Sequence, residues 1–395
     1  MHNSCGLDLN CVTKELKLQL EIMKRETAAE LQEIDKAWFA NIDWDKFLEL
    51  TIHHRVYSFI YPKMKELDGN LVPVHVIQTL HQYFKMNTFQ MLHLSAEMEH
   101  MSKLFAQNEI RLLVLKGPVL ADDLYGDISL RTSSDLDVLI PLHHLDRAEE
   151  LLLNLGYVKD DYIESVLNDW KWRHHHVTYI HPQKNIKIEI HWRLNPGPGK
   201  EPHFEELWNR KRISSLTSAP VYILGREDLF LFLVSHGARH GWSRLRWLVD
   251  INQIVKQKLD WEKTIKLLKK NYYFHIGGQA LFLTSQLLKT PLIEEVEPLL
   301  SGNRPKMLAQ EAVFYLERMV NLHTDPVPED IAMYHSRHLF SLMSYQQKFL
   351  YIMSCLYPYP IDAETLPLPK QLHMLYFPLR PILCIWRKIR KRELT

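Results

Sequence analysis

An Asp-Leu-Asp step leads straight into three apolar residues, Val138, Leu139 and Ile140, and such a run favours a β-strand. Side chains alternate along a strand, so Asp135 and Asp137 share one face while Leu136 and Val138 turn into a core. Two carboxylates that close repel, and one is pushed towards its neutral form unless a cation relieves them. A hard divalent ion prefers carboxylate oxygens and substrate phosphates. The step therefore calls for a sheet with one charged face and marks a platform for phosphate chemistry.

The flanking residues extend the pattern. Leu113-Val114-Leu115 reads as a short strand ending in Lys116-Gly117. Pro118 to Tyr125 suits a short helix with Pro118 in its first turn. Gly126 to Ser134 is a polar turn into Asp135 and includes Arg131, Ser133 and Ser134. Downstream, residues 175–180 and 186–194 read as two strands joined by a turn at His181 to Asn185. Ile188, Ile190 and Trp192 form one face of the second strand, and Lys187, Glu189 and His191 the other. A glutamate between two isoleucines is costly to bury without a partner. A solvent-facing position on an edge strand is the bland reading. Beside the Asp-x-Asp, Glu189 reads as the third member of a carboxylate triad.

The chain has 395 residues, 46% of them hydrophobic and 24% charged, enough for two to three domains and a large core. Residues 1–105 read as a helical N-terminal region, 106–222 as an α/β core and 223–395 as a helical C-terminal region. Asp43 is a helix N-cap candidate, and residues 76–101 form a second amphipathic helix. Residues 145–155 form a helix that stops at Gly156, and Tyr157-Val158 leads into a strand. Helices are also expected over 227–237 and 242–256. The formal net charge is +1, so the global balance does not call for nucleic acid. Cys5, Cys11, Cys355 and Cys384 lack zinc-finger or disulfide-framework spacing. With no apolar signal core and no apolar run of about 20 residues, the expected location is the cytoplasm, with no membrane span.

Other signals compete. His174-His175-His176, with His181 and His191, raises transition-metal binding, but strand alternation splits neighbours onto opposite faces and argues against a three-histidine site. His236 and His240 share a helix face, yet no glutamate follows His236 as a zincin motif requires. The basic end (Arg387, Lys388, Arg390, Lys391, Arg392) reads as a solvated helix terminus rather than an RNA or membrane contact.

Lys116-Gly117, Tyr125-Gly126-Asp127, Arg131, Ser134-Asp135-Leu136-Asp137 and Ile188-Glu189-Ile190-His191-Trp192 together resemble an uncharacterised family of nucleotidyltransferases of the polymerase-β-like superfamily. Asp43-Trp44 with Leu48 to Val56 is similar to that family's N-terminal helical region, and His236 to Ile251 to its C-terminal helical motif. The resemblance covers about residues 40 to 260. It implies an α+β fold: a mixed-sheet nucleotidyltransferase core flanked by helical N- and C-terminal domains. The wider superfamily has a Gly-Ser or Gly-Gly turn where this chain has Gly117-Pro118, so the phosphate contact passes to Lys116, with Ser133 and Ser134 as further candidates.

The resemblance also implies a reaction. Asp135, Asp137 and Glu189 would hold Mg²⁺, with Mn²⁺ as a substitute, and an NTP would be co-substrate. Glu189 would bind the metal or take the acceptor proton. Lys116, Gly117, Arg131, Ser133 and Ser134 would contact the nucleotide; for Arg131 an ion pair with Asp127 or Asp135 is the structural alternative. His191, His236, Arg239, His240, Arg244 and Asp250 would line the substrate cleft, an interdomain polar network being the alternative for the last five. The expected activity moves a nucleoside monophosphate, AMP first, to a hydroxyl-type acceptor on a small molecule or peptide and releases pyrophosphate. An RNA- or protein-modifying toxin and a non-catalytic nucleotide-binding module are the rivals. Nucleic acid is a less favoured partner.

Overall fold

Seven short runs with strand alternation pair into one mixed sheet. They are β1 (Leu113–Val114), β2 (Asp135–Leu139), β3 (Val158–Lys159), β4 (His176–His181), β5 (Ile186–His191), β6 (Arg212–Ser214) and β7 (Val221–Ile223). The computed structural model describes residues 6–160, 163–324 and 326–393. Cys5 lies outside them, as do the side chains of Lys388, Lys391 and Arg392. Cys11, Cys355 and Cys384 are free thiols. The strand order is β3-β4-β5-β2-β1-β7-β6. The β2–β5 and β1–β7 pairs are parallel, and the others are antiparallel. With the helices around it, this is the expected α+β architecture.

One face of the sheet is apolar. Leu136, Val138, Ile188 and Ile190 have no exposed surface, and they pack with Met91, Met98 and Phe105. Those three belong to the helix Val74–Gln107, which has 34 residues and so runs about 50 Å at 1.5 Å per residue. It outgrows the expected 76–101 segment at both ends. Its first turns contribute Val76 and Leu80 to a second cluster, built from helices both before and after the sheet. One helix thus ties the sheet to the helical body. Midway along it, the Asn87 amide donates to the carbonyls of Ser129 and Arg131 at 3.0 and 3.2 Å, which fixes the loop that enters β2.

Local signals account for most of the helices. Asp43 caps Trp44–His53 by accepting from Lys46 N–H. Pro118 opens Pro118–Tyr125. The helix expected over 242–256 starts later, at Leu245. Gly241 and Trp242 have φ of 62° and 55°, and a left-handed residue cannot sit inside a right-handed helix. A Cβ on Gly241 would fall 2.5 Å from the Tyr315 ring. No helix among the described residues is long and apolar enough to cross a membrane.

Glu97 anchors the β4–β5 hairpin to the long helix. It accepts from Lys184 Nζ at 2.8 and 3.0 Å and from the Tyr157 hydroxyl at 2.8 Å. Burial raises its carboxyl pKa, but the hydrogen bonds from Lys184 and Tyr157 outweigh burial and hold it below its ordinary value of 4.5. Its stabilisation is therefore present above pH 4.5 and lost as pH falls through the depressed value. Glu97→Gln is expected to lower the melting temperature at neutral pH. The gap from the wild type should close below pH 4.5, and a gap that stays constant into acid contradicts this account.

Candidate active site

Gly117 lets the chain turn out of β1. Its φ of 89° and ψ of −147° lie in a region that glycine alone occupies without strain. A Cβ there would sit 3.3 Å from the Leu136 side chain. Gly117 is buried and does not line the cleft described below, so it shapes the turn rather than facing a ligand. The turn presents Lys116, whose Nζ stands 3.2 Å from Asp137 Oδ2.

The parallel register of β2 and β5 assembles the rest. It sets Asp137 beside Glu189 and Asp135 beside Lys187. His191 Nε2 lies 3.1 Å from Asp137 Oδ1 and 3.4 Å from Glu189 Oε2. Lys187 Nζ is 2.6 Å from Glu189 Oε1 and 3.9 Å from Asp135 Oδ2. Ser133 Oγ donates to the Asp135 carbonyl at 3.2 Å, and Ser134 is exposed at the rim. Asp135, Asp137 and Glu189 thus stand together on the polar face of the sheet.

Their environments differ. Burial and the nearby Asp137 push the Asp135 carboxyl up. Burial would raise Asp137 too, but Lys116 and the hydrogen bond from His191 hold it below the ordinary range. Glu189 is held far down against burial by the His191 hydrogen bond and by His176. His191 is raised despite burial, because it donates to two carboxylates.

The donor set suits a hard cation. Asp137 Oδ2 is buried and accepts no hydrogen bond, the Lys116 ammonium at 3.2 Å being the charge beside it, and carboxylate oxygens of Asp137 and Glu189 lie within 4.8 Å of one another. A buried carboxylate oxygen left without a hydrogen bond is expensive unless a charge compensates it. Lys116 meets part of that need, but burial and Asp137 still push the Asp135 carboxyl up, and an ion with oxygen ligands fits what remains.

A cavity of about 500 Å³ opens over the carboxylates, within the usual range for ligand sites. Arg55, Arg239, Arg244 and Arg246 line it, and none of the four makes an ion pair among the described residues. Arg244 is oriented by His53 Nδ1 at 2.7 Å and Asn321 Oδ1 at 3.0 Å. Arg246 donates to Thr132 Oγ1 at 3.1 Å. Burial lowers Arg239 and Arg244 to about 10 and Arg246 to about 9. Partly desolvated guanidinium groups without carboxylates are a receptor for an anion with several oxygens. Arg246 was not among the residues singled out from sequence. The available signal is the spacing of Arg239, Arg244 and Arg246 around the Gly241-Trp242 break.

Two expected ligand contacts turn inward. Arg131 Nε and Nη2 donate to the two oxygens of Asp250 at 2.8 and 2.9 Å, and the Tyr125 hydroxyl donates to Asp250 Oδ1 at 2.7 Å. The Arg131 and Asp250 side chains are at most 1% exposed. Asp250 does not line the cleft. Arg131 reaches its wall but is committed to Asp250, so its ion-pair partner is neither Asp127 nor Asp135.

The histidines fall into two groups. His236 and His240 line the cleft with rings 4.6 Å apart. Burial, with Lys116 beside His236 and Arg239 beside His240, drives both pKa values well down. The separation expected for the other run does not occur. His175 precedes β4, where alternation imposes nothing, and its Nε2 lies 3.1 Å from His176 Nδ1.

A family model described as uncharacterised nucleotidyltransferase matches residues 40–289, well over half the chain. No curated protein matches it.

The Arg131–Asp250 pair joins the β2 entry loop to the helix Leu245–Val255. Removing one partner leaves a buried charge uncompensated, at a cost of about 3–5 kcal/mol. Asp250→Asn is expected to lose that much in urea unfolding. A loss below about 1 kcal/mol, the scale of a surface pair, contradicts a buried tie.

Proposed function

The chain belongs to this nucleotidyltransferase family, and from that premise we propose that it transfers a nucleoside monophosphate, AMP in the first instance, from an NTP in a Mg²⁺-dependent reaction. The acceptor is a hydroxyl-type group on a small molecule or peptide. One observation carries the reading: three carboxylates and four arginines without carboxylate partners face the same cavity.

The division of labour follows from charge. Asp135, Asp137 and Glu189 are the residues that would hold the cation. When bound, it would neutralise phosphate oxygens and lower the pKa of the acceptor hydroxyl. Arg239, Arg244 and Arg246 bind the polyphosphate and oppose the charge that builds on the departing pyrophosphate. Lys116 stands between Asp137 and the cavity and serves as a mobile point charge on the nucleotide phosphates. Ser134, exposed at the rim, would orient the same group, and Ser133 beside it is a further candidate. The acceptor hydroxyl attacks the α-phosphorus, its proton passes to a carboxylate or water, and pyrophosphate leaves. Arg131 acts through Asp250 as a positioning residue for the loop that carries Ser133 to Asp135.

The test is transfer of an α-phosphate label from each NTP to candidate acceptors, with pyrophosphate release measured in parallel. Asp135→Asn is expected to cut transfer by on the order of 100- to 1000-fold, the scale of losing one electrostatic contact to the reacting group. Unchanged transfer by this variant would sink the site assignment. Arg239→Gln should act chiefly on binding, raising the KM for NTP roughly 10- to 100-fold, as expected for losing a hydrogen bond to a charged group. An unaltered KM contradicts the polyphosphate role of this wall.

A further inference from the structure

Beside the carboxylates lies a second set of donors that the proposed reaction leaves unused. One nitrogen each from His175, His176 and His191 lies within 4.8 Å of the others. His175 Nε2 and His176 Nδ1 are 3.1 Å apart. Two nitrogens bound to one zinc ion at ~2.0–2.1 Å in tetrahedral geometry stand about 3.3 Å apart, so this pair needs almost no movement to share an ion.

In two of the rings the Nε2 atom is turned towards carboxylates. His191 Nε2 points at Asp137 and Glu189, and His176 Nε2 lies 3.8 Å from Glu189 Oε2. A proton belongs on the His191 nitrogen that faces two carboxylates, which leaves His191 Nδ1 as the lone-pair atom. His191 Nδ1 is buried and has no hydrogen-bond partner, on a residue only 3% exposed. Carboxylates that orient ligating imidazoles from behind are the usual support of a histidine metal site. All three residues line the cleft, so an ion has a route in.

We propose that His175, His176 and His191 form a binding site for one transition-metal ion of the zinc class, separate from the carboxylate platform. Imidazole nitrogen selects such ions, whereas carboxylate and phosphate oxygens select Mg²⁺. Three protein ligands leave a fourth position for water or a substrate oxygen, the pattern of a reactive rather than a structural site. The site does not depend on the chain transferring nucleotides.

The experiment uses full-length protein stripped with chelator and titrated with Co²⁺, a coloured stand-in for zinc. One equivalent should bind with the visible ligand-field bands of a four-coordinate nitrogen site. Excess Mg²⁺ should not displace it, and Asp135→Asn should leave the bands in place. His175→Gln and His176→Gln should each weaken Co²⁺ by on the order of 100-fold while melting within a few degrees of the wild type. If neither variant is folded, the wild-type spectrum and the Mg²⁺ competition decide. Bands absent from the wild type, or Co²⁺ displaced by Mg²⁺ and lost in Asp135→Asn, overturn the proposal. The second result would leave the nucleotidyltransferase reading standing, because the ion would then sit on the carboxylates.

Discussion

The parallel pairing of Asp135–Leu139 with Ile186–His191 governs everything else in the molecule. Its register puts Asp137 against Glu189, and strand alternation puts both on the face away from Leu136, Val138, Ile188 and Ile190. A slip of one residue would turn Asp137 into the apolar core and lift Leu136 into the cleft. The apolar face thus holds the carboxylates in place, and the long helix Val74–Gln107 covers that face. Three acidic groups this close repel, so the pairing is stable only with cations around it. Lys116 and Lys187 supply them, and His191 adds a hydrogen bond to Asp137.

The surrounding charges form two systems with different purposes. Arg131 and Asp250 satisfy one another in the interior and join the sheet to the helices that follow it. Arg55, Arg239, Arg244 and Arg246 are left without carboxylates at the cleft. Satisfied pairs hold the walls together, while the arginines without carboxylates are the ones we propose for the polyphosphate. The Gly241-Trp242 break makes this division possible. It ends one helix after Arg239 and starts the next at Leu245, so arginines on both sides of the break reach one cavity.

Much of this was legible in the chain, wherever the signal is local. Alternation around Asp135 and Glu189, Pro118 at a helix start and the Asp43 cap each rest on neighbours a few residues away. The partners of Arg131 were not legible, because Asp250 lies 119 residues downstream and no local rule selects it over Asp127 or Asp135. Alternation failed for His175-His176 for a physical reason: His175 lies just outside the strand, where the period of two no longer applies. The delayed start at Leu245 depended on Trp242 taking a left-handed conformation, which bulky residues rarely adopt and which its residue type does not announce.

Calorimetric titration of ATP, GTP, CTP and UTP, with and without Mg²⁺, on the wild type and Asp137→Asn tests the central claim most directly. The account predicts that one nucleotide binds the wild type in a Mg²⁺-dependent manner and that Asp137→Asn abolishes or greatly weakens that binding. Nucleotide binding indifferent to both Mg²⁺ and Asp137 would contradict the carboxylate platform on which the whole reading rests.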